Sequence, residues 1–246
     1  MTSIFTHIKE SSFLTVFTYF VFVLGGAILL GPCKGQLERP VSIPKEANFE
    51  KKFNLYKLAA NGEYKEWHES GSLVAKGKLD SNGQLNGYSE RYNYRTGTVI
   101  SKGEILNGER DGLWLYYFSD GKLYIEQNYK AGYRKKQFWV TSPEIGNENG
   151  SYIRYFKNGR VNEKGFYDGG NRTGDWVRYY PDTKVESKGS YSSDKKIGEW
   201  FYFFPNGVRE ASELYSDSGD FIRRTTYYPN GKIRCTASIS LTPSCE

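Results

Sequence analysis

The amino-acid sequence predicts an all-β protein: an elongated, twisted, single-layer antiparallel sheet of consecutive β-hairpins, preceded by one N-terminal hydrophobic helix. The first observation is an aromatic segment that recurs with an offset of 24 residues, for example at residues 174–181 and 198–205. The second is the set of Asn-Gly and Asp-Gly pairs between these segments, because such pairs favour tight hairpin turns. A fixed period of this length indicates stacked units, none of which buries its apolar face alone.

The composition favours strands over helices. The chain has 246 residues, of which 25% are charged and 17% aromatic, with 21 Tyr and 27 Gly. Aromatic residues favour strands, and glycines favour tight turns. The apolar residues are regularly spaced, so the low mean hydropathy does not indicate disorder. The length is sufficient for one domain and a leader.

The leader is an uncharged run at the N-terminus. No charged residue occurs from Ser11 to Cys33, and residues 13–31 are strongly apolar. The apolar part of a signal peptide has ~7–15 residues and a spanning helix ~18 or more, so this run lies at the boundary. We therefore expect residues 1–35 to be a signal peptide or a membrane anchor, with membrane association through residues 13–31. Either form predicts an exported or membrane-anchored chain: periplasmic, on the cell surface or secreted.

The cysteines agree with export. The sequence Leu-Gly-Pro-Cys at residues 30–33 resembles a bacterial lipobox, with Pro32 in place of the usual small residue, and would make Cys33 the lipid-bearing residue. Cys235 and Cys245 then remain, and they either form a disulfide that closes a small C-terminal loop or stay as two buried thiols. Cleavage of the leader, lipidation at Cys33 and retention as an anchor all stay open.

The remaining chain divides into three parts. Residues 36–53 contain two prolines and mixed charge, which predicts a linker. Residues 54–236 form the repeat array, with an interruption around residues 133–149. Residues 237–246 are expected to be a C-terminal tail.

Each repeat is expected to be a hairpin with a fixed register. In residues 152–167 the turn is Asn158-Gly159, and a type I′ turn there places Arg154 opposite Glu163 and Tyr152 opposite Gly165. The same construction places Phe156 opposite Val161, Trp176 opposite Gly189, and Tyr64 opposite Gly77. A glycine opposite a large ring leaves room for that ring over the partner backbone.

A second turn closes each unit of the array. The expected positions are Asn86-Gly87, Asp111-Gly112, Ala131-Gly132, Asp168-Gly169 and the segment around Lys196–Gly198. Two turns in each period give two strands per repeat, joined as a meander with local connections.

The recurring pattern G-x-W-x-x-Y-Y-P-x-G and its 24-residue spacing resemble the MORN-repeat family, in the variant form of bacterial proteins. The resemblance covers about residues 62–231, and some variant members are described as antitoxin-like. It implies a twisted single-layer sheet that acts as an interaction scaffold or a membrane-associated scaffold. The His-Gly pair of standard MORN repeats is absent from this sequence.

We find no group of residues that predicts catalysis. The only histidine beyond the leader is His68, which precedes a turn, and no phosphate-binding glycine loop is present. We therefore expect no enzyme, no catalytic residues, no metal site and no cofactor. The expected function is a non-catalytic scaffold that mediates protein or envelope-surface interaction. The alternatives are an antitoxin or immunity protein that neutralises a toxin by binding, and a structural element that adds strands edge to edge.

The interruption is the expected partner site. Turn glycines Gly121 and Gly159 lie 38 residues apart, 14 more than one period. The stretch between them combines cations with aromatic rings, as binding hot spots do. The partner would be a protein or an anionic envelope or membrane surface rather than nucleic acid, although basic clusters also serve simply to keep sheet edges soluble. The residues expected to contact it are Arg134, Lys135, Lys136, Phe138 and Trp139.

Overall fold

The computed structural model describes residues 39–132, 148–239 and 241–245. These residues are all-β, as predicted. They contain no helix, and therefore none that could cross a membrane. The expected N-terminal helix and the lipidation site Cys33 lie outside the described residues.

Seventeen strands form one sheet, in which each strand pairs antiparallel with the next along the chain. This order is the predicted meander of two strands per repeat. The strands are β1 (Asn48–Glu50), β2 (Leu55–Ala60), β3 (Glu63–His68), β4 (Leu73–Leu79), β5 (Leu85–Tyr92), β6 (Val99–Leu106), β7 (Glu109–Tyr117), β8 (Leu123–Tyr129), β9 (Glu148–Tyr155), β10 (Val161–Asp168), β11 (Asn171–Tyr179), β12 (Val185–Ser192), β13 (Lys195–Phe203), β14 (Arg209–Tyr215), β15 (Phe221–Tyr227), β16 (Ile233–Ser238) and β17 (Leu241–Cys245).

The sheet continues across the irregular stretch of the sequence. Strand β8 pairs directly with β9, with Ile125 opposite Arg154 and Tyr129 opposite Glu148. The hydrogen-bonded ladder of the array is not broken there.

The turn at Asn158-Gly159 is longer than the type I′ turn expected from the sequence. The Phe156 N–H donates to the Arg160 carbonyl at 2.8 Å, and only Gly159 in this turn has a positive φ, of 82°. This is a three-residue loop that ends in a glycine bulge. Tyr155, not Phe156, therefore pairs with Val161.

A second irregularity restores the predicted register. The pairing shifts by one residue between Val161 and Glu163, so that Glu163 lies opposite Arg154 and Gly165 opposite Tyr152. The predicted pairs Trp176–Gly189 and Tyr64–Gly77 are confirmed as well. The bulge at the turn and the bulge in the strand cancel, so the sequence-based register holds beyond the first residues of the hairpin.

Three of the expected second turns are wrong. The pairs Asn86-Gly87 and Asp111-Gly112 and the segment Lys196–Gly198 lie inside strands β5, β7 and β13. Their glycines do have positive φ values, of 106°, 62° and 61°, but they occupy irregular positions within strands. The two-residue turns in which both residues have positive φ are Asn61-Gly62, Asn107-Gly108, Gly169-Gly170 and Ser193-Asp194.

Both ends of the array differ from the expected boundaries. In the expected linker, Ile43 and Ala47 are buried against Trp67, with Tyr56 and Leu73 around them. These residues therefore cover one face of the first hairpins. At the other end, β17 pairs with β16, so the sheet extends into the expected tail.

Candidate functional site

One face of the sheet carries three buried tryptophans, Trp114, Trp176 and Trp200, and we call it the tryptophan face. Each indole lies over a glycine of the preceding strand, eleven residues earlier in the chain: Gly103, Gly165 and Gly189 respectively. A Cβ placed on these glycines would lie 2.6, 2.2 and 2.3 Å from the ring above. No residue other than glycine fits beneath the indole.

The indole nitrogen fixes each ring in place. It donates to the carbonyl of the residue that follows the glycine, over 2.8 Å to Glu104, 3.3 Å to Phe166 and 3.0 Å to Ser190. The strand register also shifts at each of these glycines. The ring thus covers a bulge and bonds to a carbonyl at that bulge.

The sequence correctly predicts that a glycine leaves room for a ring over the backbone, but it names the wrong ring for Gly189. Trp176 does lie opposite Gly189 in the register, yet the ring over Gly189 is that of Trp200, from the strand on the other side. The reason is the bulge, which moves the following strand by one residue and brings its tryptophan over the glycine.

Each of these tryptophans also covers a cation four residues earlier in its own strand. The Arg110 guanidinium carbon lies 5.0 Å from the Trp114 ring centre and 5.5 Å from that of Tyr129. Lys196 lies 4.9 Å from Trp200 and 5.5 Å from Tyr215. Arg172 makes the same contacts with Trp176 and Tyr191, at 5.9 and 4.1 Å. Much of the positive charge on this face is therefore held by the protein's own aromatic rings.

The carboxylates of this face are paired as well. Glu163 accepts from Arg154 at 2.8 Å and from Arg178 at 3.2 Å. Burial raises the pKa of Glu213, but hydrogen bonds from Tyr202, Lys196 and Tyr215 outweigh burial and leave the pKa lowered. Glu213 is therefore held as a carboxylate by three hydrogen-bond donors.

Two units of this row lack the tryptophan: in the first, Ser89 follows Gly87 and lies opposite Gly77, so that only the second lacks the glycine as well. Gly112, Gly174 and Gly198 have positive φ, and each stands two residues before a tryptophan; Gly150 has the same conformation, but Tyr152 follows it. Opposite Tyr152, where the other units have a glycine beneath the ring, β8 carries Gln127, which is buried. Gln127 and Tyr152 thus stand at the positions that a glycine and a tryptophan hold in the units of Trp114, Trp176 and Trp200.

A cavity of about 470 Å³ lies at this exception. The residues that line it include four tyrosines, one arginine, one glutamine and one glutamate: Tyr116, Tyr129, Tyr152, Tyr167, Arg110, Gln127 and Glu148. A second, smaller cavity of about 130 Å³ lies between Trp176 and Trp200. We take the larger one, the β8–β10 cavity, as the candidate site.

The β8–β10 cavity combines apolar rings with polar groups. Burial raises the pKa of Tyr152 and of Tyr167 to about 12, and that of Tyr129 further still, so these hydroxyls are protonated at neutral pH. The Tyr116 and Tyr129 hydroxyls lie 2.7 Å apart. Rings with neutral hydroxyls, flanked by Arg110 and Glu148, can pack against an apolar group and hydrogen-bond its polar edge.

The site residues expected from the sequence lie outside the described residues. These are Arg134, Lys135, Lys136, Phe138 and Trp139, and they remain a prediction. The strands that flank them meet the cavity, because Tyr129 ends β8, Glu148 begins β9, and both line it. Sequence reasoning missed Gln127 and Tyr152. The available signal was the Lys-Gly pair, which recurs at residues 76–77, 102–103, 164–165 and 188–189 but reads Glu-Gln at 126–127.

The other expected sites can be placed only in part. Cys235 is disulfide-bonded, and its register partner in β17 is Cys245, so the expected Cys235–Cys245 bond remains a prediction consistent with both facts. His68 is half-buried: its ring stacks on Tyr94 with 4.3 Å between ring centres, and its Nδ1 lies 2.9 Å from the Ser70 hydroxyl. Within the described part of the chain no three His, Cys, Asp or Glu side chains are grouped as metal ligands.

The fold and this face define a β-repeat protein, in which one meandering sheet is built from units of two strands. Three segments, residues 60–78, 110–131 and 223–238, match the family model described as MORN repeat variant. The resemblance stated from the sequence is therefore confirmed, and the chain is a repeat scaffold of a kind involved in binding.

More distant likeness is weak. No curated protein sequence matches the chain. A mutant of S. aureus TarM in complex with fondaparinux, α-GlcNAc-glycerol and UDP is 15% identical, with 55% of this chain and 21% of that chain covered and a TM-score of 0.26. The GtfA/B complex bound to UDP and GlcNAc is 12% identical, with 50% of this chain and 27% of that chain covered and a TM-score of 0.17. TcdB2-TccC3-TEV is 13% identical, with 72% of this chain and 12% of that chain covered and a TM-score of 0.21. The chain thus spans well under a third of each, and likeness at this level says nothing about its function.

Proposed function

We propose that this chain is a non-catalytic MORN-repeat scaffold, exported or held at a membrane by residues 13–31, which binds a partner protein at the β8–β10 cavity. One observation carries the proposal: the Gly-Trp pair that closes the neighbouring units is replaced by Gln127 and Tyr152, and a cavity is present at that unit. The irregular segment of the sequence joins the sheet at the same place.

The arrangement suits binding better than catalysis. Glu163 is paired with two arginines, and Glu213 accepts from several donors, so neither is available as a base. The cavity supplies tyrosine rings beside one cation and one carboxylate, and aromatic residues and arginine are the residue types enriched at the centres of protein interfaces. The cations and rings expected at residues 134–139 would add to the same contact.

The test compares capture of a partner by four forms of the tagged full-length chain in its native host. The first is the unaltered chain, and the second carries Lys135→Ala, Phe138→Ala and Trp139→Ala. The third carries Gln127→Gly and Tyr152→Trp, which restores the regular unit without removing its fold. The matched control carries Lys232→Ala and Ile233→Ala, an exposed cation and an exposed apolar residue elsewhere in the array.

We expect the second and third forms to lose the same partner, while the control retains it. Undiminished capture of the partner by the third form would show that the β8–β10 cavity is not part of the binding site. Stoichiometric inhibition of a captured toxin would favour an antitoxin. Fractionation with intact-mass measurement then tests the membrane part: a mass reduced by the leader, with or without acyl chains, distinguishes secreted, lipid-anchored and spanning forms.

A further inference from the structure

The units of the tryptophan face repeat a cation at a fixed position. In three units the residue four positions before the tryptophan is basic: Arg110, Arg172 and Lys196. In the unit of Tyr152, the residue at this position is Glu148. The carboxylate reverses the charge that the other three units carry here, and Glu148 lines the β8–β10 cavity.

The backbone shows that Glu148 and Arg172 occupy equivalent positions. Each pairs in the register with a tyrosine of the preceding strand. The Glu148 carbonyl accepts from the Gly170 N–H at 2.9 Å. The Arg172 carbonyl accepts from the Asp194 N–H at 3.1 Å, and both donors lie 22 residues after their acceptors. The reversal of charge is therefore a change of side chain at one position of the repeat and not a shift of register.

The rings that hold a cation in the neighbouring unit have equivalents at the β8–β10 cavity. Arg172 contacts Trp176 of its own strand and Tyr191 of the next strand, and these rings meet edge to face with 5.9 Å between centres. The corresponding rings at the cavity are Tyr152 and Tyr167, which meet edge to face at 5.5 Å. The cavity therefore has the aromatic pair of a cation site, with a carboxylate at the position from which the cation extends in the other units.

Cations in neighbouring units are compatible on this face. Strand β9 lies between β7 and β11, which carry Arg110 and Arg172, and the next unit carries Lys196 in β13. Arg172 and Lys196 are thus two strands apart, the spacing that a cation beside Tyr152 would have from either neighbour. The volume of the β8–β10 cavity is about 470 Å³, compared with about 130 Å³ for the cavity that Lys196 lines. The larger cavity therefore has space for a side chain from another protein.

We propose that the β8–β10 cavity takes up an arginine or lysine side chain of the partner protein, with the cation against Tyr152 and Tyr167 and beside the Glu148 carboxylate. The inference rests on the proposed function, because it specifies what the partner places in the same cavity. Aromatic faces attract cations, and a carboxylate of opposite charge adds to the selection for a basic side chain. The partner thus supplies the cation that Arg172 and Lys196 supply in their own units.

The probe is a pair of blocked tripeptides, glycyl-arginyl-glycine and glycyl-citrullyl-glycine, whose central side chains differ in charge but hardly in shape. Binding to the purified full chain is followed by NMR of ring-labelled tyrosines, with the signals of Tyr152 and Tyr167 assigned from phenylalanine variants. We expect saturable shifts of both signals with the arginine peptide and several-fold weaker binding of the citrulline peptide. Raised salt should weaken binding of the arginine peptide, because screening shortens the reach of the Glu148 charge.

Three variants separate the charge of Glu148 from its shape. Glu148→Gln should weaken the arginine peptide several-fold and leave the citrulline peptide unchanged. Glu148→Arg supplies the cation of the neighbouring units and should abolish binding of the arginine peptide, while the fold is kept because the array carries arginine at this position in β11. The matched control is Glu199→Gln, an exposed carboxylate that alternation along β13 places on the other face from Trp200, and it should bind like the unaltered chain.

Equal binding of the two peptides would overturn the proposal, and so would unchanged binding by Glu148→Arg. Absence of shifts at Tyr152 and Tyr167 would do the same; since the full chain includes the basic residues 134–136, occupation of the cavity by the chain itself would give this result. The capture experiment separates this failure from that of the proposed function. A chain that loses its partner on Gln127→Gly and Tyr152→Trp, but binds both peptides alike, keeps the cavity as the binding site and removes only its cationic occupant.

Discussion

At the residue scale, the array depends on what lies beneath each ring of the tryptophan face. Gly103, Gly165 and Gly189 have strand-like backbones, so their role is space and not a special conformation. The indole lies directly on the glycine and donates to the next carbonyl. A single methyl group at these positions must displace a buried ring or the strand below it.

Alanine substitution measures this requirement. Gly165→Ala and Gly189→Ala should each lower the free energy of unfolding by about 1–3 kcal/mol, because overpacking a filled site forces side chains and backbone to shift. Gly77→Ala is the matched control, since it follows a lysine in the same way but has a Leu85 methyl 3.0 Å from the added carbon in place of an indole. Urea unfolding should separate the three variants; equal midpoints would show that the ring does not require the glycine.

Thr183 occupies a position that suits glycine. Eight three-residue turns occur in the described residues, and the residue with positive φ is Gly in seven of them and Thr183, at 77°, in the eighth. A β-branched side chain is strained there. Thr183→Gly should therefore raise the thermal midpoint, with about 1 kcal/mol of added stability as the order of magnitude. An unchanged or lower midpoint would mean that the threonine side chain compensates the strain.

At the element scale, the hairpins combine two kinds of turn with one constant register. The three-residue turns add a residue, and the bulges within the strands remove its effect on pairing, as at Asn158-Gly159 and Glu163. The sequence predicted the distant pairs for this reason. It could not predict the turn type, because Asn-Gly suits both a type I′ turn and a type I turn with a glycine bulge.

The glycines inside strands explain the wrong second turns. Asp111-Gly112 and Lys196–Gly198 contain a glycine with positive φ, which is the property that a turn also needs. Composition alone does not separate a bulge from a turn. The neighbouring pairs do, because Asn107-Gly108 and Ser193-Asp194 stand a few residues earlier and form the real turns.

The segment before the array acts as a cover for its first hairpins. Ile43→Ala should destabilise β2, β3 and β4 by about 2 kcal/mol or more, since a buried isoleucine is removed from a small cluster around Trp67. Hydrogen exchange at β3 should accelerate while exchange at β13 stays unchanged. Equal rates at β3 in both proteins would indicate that the segment contributes nothing to the fold.

At the scale of the whole molecule, stability should depend on pH through hydrogen bonds to ionised, partly buried carboxylates. Burial raises the pKa of Glu90, but hydrogen bonds from Lys76, Tyr92 and Tyr88 outweigh it and hold the pKa at about 2. The carboxyl has a pKa of ~4.3 in an unfolded chain. Because the folded value is the lower one, this stabilisation is present above pH ~4.3 and is lost as pH falls towards 2.

The expected result is a urea midpoint that decreases from about pH 5 to pH 2, with a shallower decrease in Glu90→Gln. The decrease of the urea midpoint that remains in the variant comes from the other carboxylates. Glu213 is among them, because its pKa is also lowered. Identical slopes in the two proteins would contradict the assignment to Glu90.

The sequence predicted the repeat, its antiparallel meander and its register, since these depend on a period and on the alternation of side chains. The candidate site depends on an exception to the pattern. The interval between Gly121 and Gly159 located that exception along the chain, but Gln127 and Tyr152 lie in strands that read as ordinary. Only the placement of Trp176 and Trp200 over glycines reveals that an indole is missing between them and Trp114.

The most direct test of the Gly-Trp rule is a double-mutant cycle at the exception. The free energy of unfolding is measured for the unaltered protein, Tyr152→Trp, Gln127→Gly and the double variant. Tyr152→Trp alone should destabilise, because Gln127, and not a glycine, lies opposite it in the register. The double variant should recover roughly 0.5–3 kcal/mol beyond additivity. Additive effects, with no favourable coupling between the two positions, would contradict the claim that a tryptophan on this face requires a glycine beneath it.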